Sequence, residues 1–367
     1  MNRNRVKLAD IAELTVGYVG NMAKQYTDEG VKFLRSLNIK PFRIIEDDLK
    51  YISREFSETL SKSTLHENDL IIVRTGIPGT CCVVPKEYEN CNCADVVLVR
   101  PNLQMVNPYY LAAYINVWGK KQVENNKVGA IQKHFNVRSA QEMVIDLPDL
   151  KEQNRVAKIL CDLNNKIAQN EKINDYLEQQ ALLIFRHMFY NISYGSNHVG
   201  DYITPRRGKA LLSKDAIPGC VPVIAGGLVP ATYHNVSNTV APVLTISGSG
   251  ANAGYINIWY DSVWSSDSSY IDSDMTENVY FWYAFLKSRQ QDIFDIQTGS
   301  AQPHIYPKHI AELSISDVDD AKVKSYTSQV APLFAKIGAN IRENNELKQL
   351  RDWLLPMLMN GQATIEG

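Results

Sequence analysis

The chain has 367 residues, of which 45% are hydrophobic and 21% charged, and its formal net charge is −2. These values are ordinary for a globular protein of two or more domains, and they exclude a protein whose overall charge alone would attract nucleic acid. No run of about 18 uncharged apolar residues and no signal-peptide pattern is present, so we predict a cytoplasmic protein.

Residues 1–148 are predicted to form a first mixed α/β domain. Short β-branched and aromatic runs such as DLIIVRT and DVVLVRP are bounded by glycine, proline and asparagine. The stretch NPYYLAAYINVWGKKQVEN has apolar side chains at helical spacing. Four cysteines cluster here without the C-x₂₋₄-C spacing of structural zinc sites, which favours reduced thiols over zinc; they are Cys81, Cys82, Cys91 and Cys93.

A long helix is predicted over residues 149–192. Asp149 and Glu152 follow Pro148 in the spacing of a helix-capping pair, and no glycine or proline occurs before Gly195. A second α/β domain is then predicted over residues 193–317, with a helix in ENVYFWYAFLKSRQQDIF.

Two short motifs invite a catalytic interpretation that their surroundings disfavour. The glycine-rich run at 248–254 precedes YINIWY, which is typical of a strand, whereas a dinucleotide-binding loop needs a helix there. The sequence NPYY at 107–110 lacks the second proline of an adenine-methyltransferase motif and opens a predicted helix. We therefore predict a turn between strands and a helix start, and no catalytic residues.

A second long helix is predicted within residues 318–367. Pro332 is expected to kink or break it, so that the long helix starts near Pro332 after a shorter one.

The sequence indicates an internal duplication. The segments VGAIQKH at 128–134 and TGSAQPH at 298–304 share glycine, glutamine and histidine at the same three places. A shift of 172 pairs Gly76 with Gly248 and Asp95 with Asp267, and a shift of 191 pairs Gly17 with Gly208. The two α/β domains are therefore predicted to be similar.

Both long helices carry an apolar seam at alternating steps of four and three, interrupted by asparagines at the same central places. The central seam residues are Ile167, Asn170, Asn174, Leu177, Ile337, Asn340, Asn344 and Leu347. An antiparallel pairing places Asn170 opposite Asn344 and Asn174 opposite Asn340. Because buried asparagines specify register, we predict an antiparallel coiled coil that joins the two domains with pseudo-two-fold symmetry.

This layout resembles the DNA specificity subunit of type I restriction-modification systems. The G-[AS]-x-Q-x-H stretch of each block, the helix opening LPDLKEQNRVAKIL and the ending ELKQLRDWLLPMLMNGQ at 346–362 carry the resemblance. It implies two target recognition domains that each read half of a split site on double-stranded DNA. It also implies two modification subunits that bind S-adenosylmethionine, two motor-nuclease subunits that use ATP and Mg²⁺, and no chemistry on this chain. The alternatives are a specificity subunit of a type IIB enzyme and a tandem-repeat adaptor that binds only proteins.

Candidate DNA-binding residues are basic or amide side chains in the two blocks, because such groups contact phosphates and base edges. They are Arg206, Arg207, Lys209, Lys24, Arg35, Arg74, Gln132, His134, Gln302 and His304. A solvated turn is the alternative for the basic cluster at 206–209. For the recurring glutamines and histidines, a structural role is favoured, since readers of different half-sites should not share base-reading residues.

Overall fold

A computed structural model describes residues 4–119, 122, 135–299 and 301–363. The chain forms two compact units, one of residues 1–167 with 346–367 and the other of residues 168–345. Each unit has its own hydrophobic core. Among the described residues, no helix is both long and apolar enough to cross a membrane.

The first unit is mixed α/β. Its main sheet is antiparallel with the strand order β2-β11-β8-β9, and a second sheet has the order β10-β4-β7-β3. The strands are β1 Asn4–Lys7, β2 Ala12–Val16, β3 Tyr26–Thr27, β4 Val31–Leu34, β5 Ile39–Lys40, β6 Arg43–Ile44, β7 Lys50–Ile52, β8 Leu70–Val73, β9 Cys81–Val83, β10 Asn92–Cys93, β11 Val96–Pro101 and β12 Val144–Leu147. The short helices are α1 Leu8–Ile11, α2 Arg54–Thr59, α3 Pro108–Tyr114 and α4 Val137–Gln141, and a π-helical turn, Ile115–Gly119, follows α3.

The second unit repeats this plan. Its strands are β13 Asn197–His198, β14 Arg206–Arg207, β15 Val221–Ile224, β16 Thr232–His234, β17 Val243–Ser247, β18 Ile256–Trp259, β19 Trp264–Ser265, β20 Ser268–Asp272 and β21 Ser314–Ile315. Its short helices are α6 Val279–Ser288, α7 Gln290–Asp295 and α8 Pro307–Ala311. The main sheet has the order β14-β20-β17-β18, which matches β2-β11-β8-β9 strand for strand. The parallel pair β15–β19 likewise matches β4–β10.

Matching hydrogen bonds confirm that the two units are copies of one design. Gly17 N donates to Val96 O at 2.9 Å, and Gly208 N donates to Ser268 O at 2.8 Å. A Cβ at Gly17 would lie 3.0 Å from a backbone oxygen of β10, and one at Gly208 would lie 2.5 Å from the equivalent oxygen of β19. Glycine recurs at this place because the backbone of another strand crowds a side chain at Gly17 and leaves no room for one at Gly208.

One residue pairing taken from the sequence is wrong by two positions. The register of β8 on β11 and of β17 on β20 makes Val73 equivalent to Ser247, so the partner of Gly76 is Gly250, not Gly248. Both glycines have φ of +81° in the turn that follows the strand. Aligning the two halves at one fixed shift gave the wrong glycine because the loops that follow the two strands differ in length. The pairing of Asp95 with Asp267 is correct, since they directly precede β11 and β20.

Two long helices, α5 Leu150–Met188 and α9 Asp320–Asn360, complete both units. Asp149 caps α5 by accepting a hydrogen bond from Glu152 N at 2.8 Å. The helix ends at Met188, shortly before the predicted end at residue 192, and the chain then turns so that Ile192 O accepts a hydrogen bond from Ser316 N.

The prediction that the second long helix starts near Pro332 is wrong, because α9 runs through that proline from Asp320. A proline inside a helix costs about 3 kcal/mol. Val330 and Phe334, on either side of it, are fully buried in the second core. Their packing offsets the lost backbone hydrogen bond and holds the helix together.

The asparagines of the long helices pair as the antiparallel register predicts. Asn170 Nδ2 donates to Asn344 Oδ1 at 2.9 Å, and Asn340 Nδ2 donates to Asn174 Oδ1 at 2.8 Å. In the first unit, Arg351 interrupts the apolar seam but is only 14% exposed. Its guanidinium forms an ion pair with Asp352 Oδ1 at 2.8 Å, donates to Asn164 Oδ1 at 2.9 Å and lies over the Phe42 ring, so a carboxylate, an amide and an aromatic face accommodate the charge.

We expect the two members of the Asn174–Asn340 pair to respond differently to leucine. Asn340 is 1% exposed and its Oδ1 has no hydrogen-bond partner, whereas Asn174 is half-buried and can reach water. Asn174→Leu should lower the free energy of unfolding by about 1–3 kcal/mol, because it leaves the buried Nδ2 of Asn340 without its hydrogen-bond acceptor. Asn340→Leu should be close to neutral or stabilising. Urea denaturation of both variants and of the double variant measures the difference, and equal losses in the two single variants would contradict it.

The four clustered cysteines are buried in two separate places. Cys81 packs in the core of the main sheet, whereas Cys82, Cys91 and Cys93 pack in a neighbouring cluster. Burial raises the pKa of Cys91 to about 11 and that of Cys93 to about 12. Across the described part of the chain, no three acidic, histidine or cysteine side chains are grouped to hold a metal ion.

Candidate nucleic-acid interface

The glycine-rich turn of the second unit connects two antiparallel strands. Residues 248–254 lie between β17 and β18, which pair directly, so the predicted turn is confirmed. The recurring segment at 298–304 packs against this turn: Gly250 N donates to Pro303 O, and Ile305 N donates to Gly248 O, both at 3.0 Å.

The backbone of the recurring segment closes a small loop. His304 N donates to Thr298 O at 2.8 Å, and Thr298 N donates to His304 O at 3.1 Å. Gly299 has φ of +95°, and a Cβ there would lie 2.5 Å from Gln302 O, which explains the glycine of the motif. The Gln302 side chain is exposed, and the His304 ring stacks on Tyr306. The equivalent Gln132 and His134 lie outside the described residues.

Arg207 is held beside this loop by an acidic partner. Its Nη2 lies 2.5 Å from Asp267 Oδ1, and its guanidinium carbon lies 5.9 Å from the centroid of the Tyr306 ring. Ser249 Oγ donates to the other oxygen of Asp267. The Arg207 and Asp267 side chains are 39% and 37% exposed, so this cluster of Arg207, Asp267 and Ser249 is open to a ligand.

The basic run at 206–209 does not form one surface. Arg206 and Arg207 are neighbours in β14, and successive side chains of a strand point to opposite faces. Arg206 and Lys209 are both exposed. Their contact with DNA stays a prediction.

In the first unit, Arg74 has the same kind of partner. Its Nη1 lies 3.3 Å from Asp95 Oδ1, and Thr75 Oγ1 donates to Asp95 Oδ2 at 2.8 Å. Arg74 Nε also donates to Phe135 O at 3.3 Å. The guanidinium lines a shallow depression whose lining residues are Val16, Val19, Arg74, Asn136, Val137 and Arg138.

The other two predicted contacts of the first unit are arranged differently. Lys24 is exposed in the segment between β2 and β3. Arg35 is 21% exposed, and its Nη2 lies 2.8 Å from Asp48 Oδ2. Hydrogen bonds from Arg35 and then Lys50 lower the pKa of Asp48 to about 2, so this arginine is engaged within its own unit.

Sequence reasoning missed the acidic and hydroxyl partners of these arginines. The repeat matched Asp95 with Asp267. Neither aspartate lies in a sequence motif, so the sequence did not identify its arginine partner. Thr75, Ser249 and Tyr306 carried no signal at all, because only the folded sheets bring them to Arg74 and Arg207.

Comparison with known proteins agrees with this fold. Residues 3–179 match the model of the type I restriction modification DNA specificity domain. The MjaIX type I restriction enzyme specificity subunit of Methanocaldococcus jannaschii is 23% identical over 61% of this chain and 62% of its own length. The EcoBI specificity subunit of Escherichia coli is 23% identical over 35% of this chain and 28% of its own length. This chain therefore spans less than two thirds of either relative.

A solved structure extends the likeness to almost the whole chain. The type I restriction-modification S subunit of M. genitalium superposes with a TM-score of 0.57 at 16% identity, covering 97% of this chain and 96% of that one. At this identity the agreement concerns the fold. Family match and fold together confirm the resemblance read from the sequence: residues 3–179 match the type I restriction modification DNA specificity domain, and the chain shares its fold with a type I S subunit.

Proposed function

We propose that this chain is the DNA-reading subunit of a type I restriction-modification complex and that each unit reads one half of a bipartite target. The duplicated fold carries this proposal. Two copies of one sheet, each with an arginine held by a carboxylate at the same place, suit a ligand that repeats the same chemistry twice. Duplex DNA is such a ligand, since its backbone is uniform while its base edges vary.

The partners follow from the same proposal. Two modification subunits would bind S-adenosylmethionine and methylate adenine, and two motor-nuclease subunits would use ATP and Mg²⁺. This chain would supply sequence recognition and a scaffold, and would itself perform no bond-making step. The long helices, whose seam is fixed by paired asparagines, would give the scaffold a defined register.

Methylation mapping tests the proposal directly. The chain is produced together with the modification subunit of its own system in cells that lack other adenine methyltransferases, and modified adenines are located across the genome. We expect one motif of two short conserved parts separated by a spacer of constant length. A contiguous motif, or methylation without sequence preference, would contradict bipartite reading.

A binding assay separates this function from that of a protein-only adaptor. The full chain, with and without the modification subunit, is titrated onto the mapped duplex and onto a scrambled duplex of equal length. A sequence-selective shift is expected, whereas an adaptor would give none under either condition.

A further inference from the structure

Both units hold a carboxylate, a guanidinium and a hydroxyl group in one cluster. Asp95 directly precedes β11, and Asp267 directly precedes β20. The hydroxyl comes from the second residue after β8 or β17, which is Thr75 or Ser249, and it donates to one carboxylate oxygen. The other carboxylate oxygen faces an arginine.

The arginine reaches this cluster from different strands in the two units. Arg74 follows β8, and the equivalent position in the second unit is Gly248, after β17. Arg207 lies in β14, and the equivalent position in the first unit is Val16, at the end of β2. The guanidinium is thus present in both copies, although the residue that supplies it has changed.

The two arrangements compete for the same space. A Cβ at position 248 would lie 2.5 Å from Arg207 Nη1 and 2.9 Å from Asp267 O, so a side chain there would displace the Arg207 guanidinium from its present place beside Asp267. If the arginine–carboxylate ion pair served only to stabilise one strand, the arginine would come from the same strand in both units. Here the strand differs and the cation beside the carboxylate remains, which indicates that the cation itself is needed.

Space for a ligand lies next to each cluster. Gly76 and Gly250 follow the hydroxyl residues, and a Cβ at either would meet no atom within 4 Å. A guanidinium has five N–H donors in one plane, and a carboxylate on one edge leaves others to a second acceptor. An anion could therefore approach the arginine beside an open turn.

We propose that each cluster binds a phosphodiester group of the DNA backbone, with Arg74 or Arg207 as the donor and Asp95 or Asp267 as a positioning residue. This inference rests on the proposed function. The ligand must be common to both units even though they read different half-sites, and the phosphate backbone is the part of DNA that does not vary with sequence. The carboxylate holds the guanidinium in one orientation, which reduces the entropy lost on binding.

The test measures binding of the full chain, with its modification subunit, to the mapped duplex and to a scrambled duplex over a range of salt concentrations. Arg207→Ala should weaken binding to both duplexes by the same factor, about tenfold, and should lower the slope of log affinity against log salt by about one. Asp267→Asn should weaken both equally but less. Arg207→Ala combined with Asp267→Asn should be no weaker than Arg207→Ala alone, since the carboxylate acts through the arginine.

A matched control is another exposed ion pair of the second unit. Arg342 Nη1 lies 3.0 Å from Asp261 Oδ1, and the side chains are 51% and 63% exposed. Arg342→Ala and Asp261→Asn should leave the salt slope unchanged. Arg74→Ala and Asp95→Asn repeat the test in the first unit, with the same results expected.

Three results would overturn the inference. A loss confined to the mapped duplex, with altered base preference, would make the arginine a base reader. A lowered melting temperature in Asp267→Asn with the wild-type salt slope would make the cluster purely structural. If the wild type binds selectively and no variant changes its binding, the phosphate site is rejected but the proposed function stands. If the wild type itself shows no selective binding, the proposed function is rejected.

Discussion

Replacing Phe185 by alanine is expected to lower the free energy of unfolding of the second unit by about 3–5 kcal/mol. The side chain is 2% exposed and its ring lies 5.2 Å from that of Phe189, 5.6 Å from Tyr326 and 5.8 Å from Phe281. These rings belong to α5, its C-terminal turn, α6 and α9, so the cavity would open where three helices and the turn meet. The surrounding backbone is held by those helices and cannot collapse around the cavity.

Hydrogen exchange followed by mass spectrometry measures this effect, because it reports each unit separately. Protection should fall in peptides from residues 168–345 and should change little in peptides from residues 1–148. Leu183→Ala is the control: it lies on the same helix, is 61% exposed, and should change stability by less than about 0.5 kcal/mol. Equal losses of protection in both units would contradict separate cores.

Removing the carboxylate-held arginine from both units at once is expected to weaken DNA binding by about a hundredfold. If each of Arg74→Ala and Arg207→Ala costs about tenfold, and if the two units engage the duplex through independent contacts, the free energies add. The salt slope should then fall by about two. Titration of the mapped duplex at several salt concentrations gives both quantities.

The comparison with the single variants decides how many units bind. If the double variant binds DNA as tightly as the single variant with the lower affinity, only one unit contacts the duplex. Arg342→Ala, which removes an exposed arginine from an ion pair outside the clusters, serves again as the control.

Periodic features of the fold were predictable from the sequence. The duplication followed from repeated residues, and the antiparallel register followed from the positions of Asn170, Asn174, Asn340 and Asn344, because polar residues in an apolar seam have few acceptable partners. Local rules were less reliable at Pro332, where burial of Val330 and Phe334 outweighed the intrinsic cost of proline.

The clusters themselves could not be predicted, because their members come together only through sheet pairing. Arg207 meets Asp267 because β14 lies beside β20, and Arg74 meets Asp95 because β8 lies beside β11. A search for basic runs favoured residues 206–209 for their density. It could not show that strand alternation separates Arg206 from Arg207, or that Asp48 engages Arg35.

The division of the chain into units has a consequence for how the protein is made. The first unit includes residues 346–367, and its core contains Leu355, Leu358 and Met359 packed with residues such as Leu8 and Leu160. Residues 168–345 are all synthesised before those core residues exist. The unit whose synthesis begins first is therefore expected to finish folding last, and a premature stop codon after Asn345 should damage the first unit while sparing the core of the second.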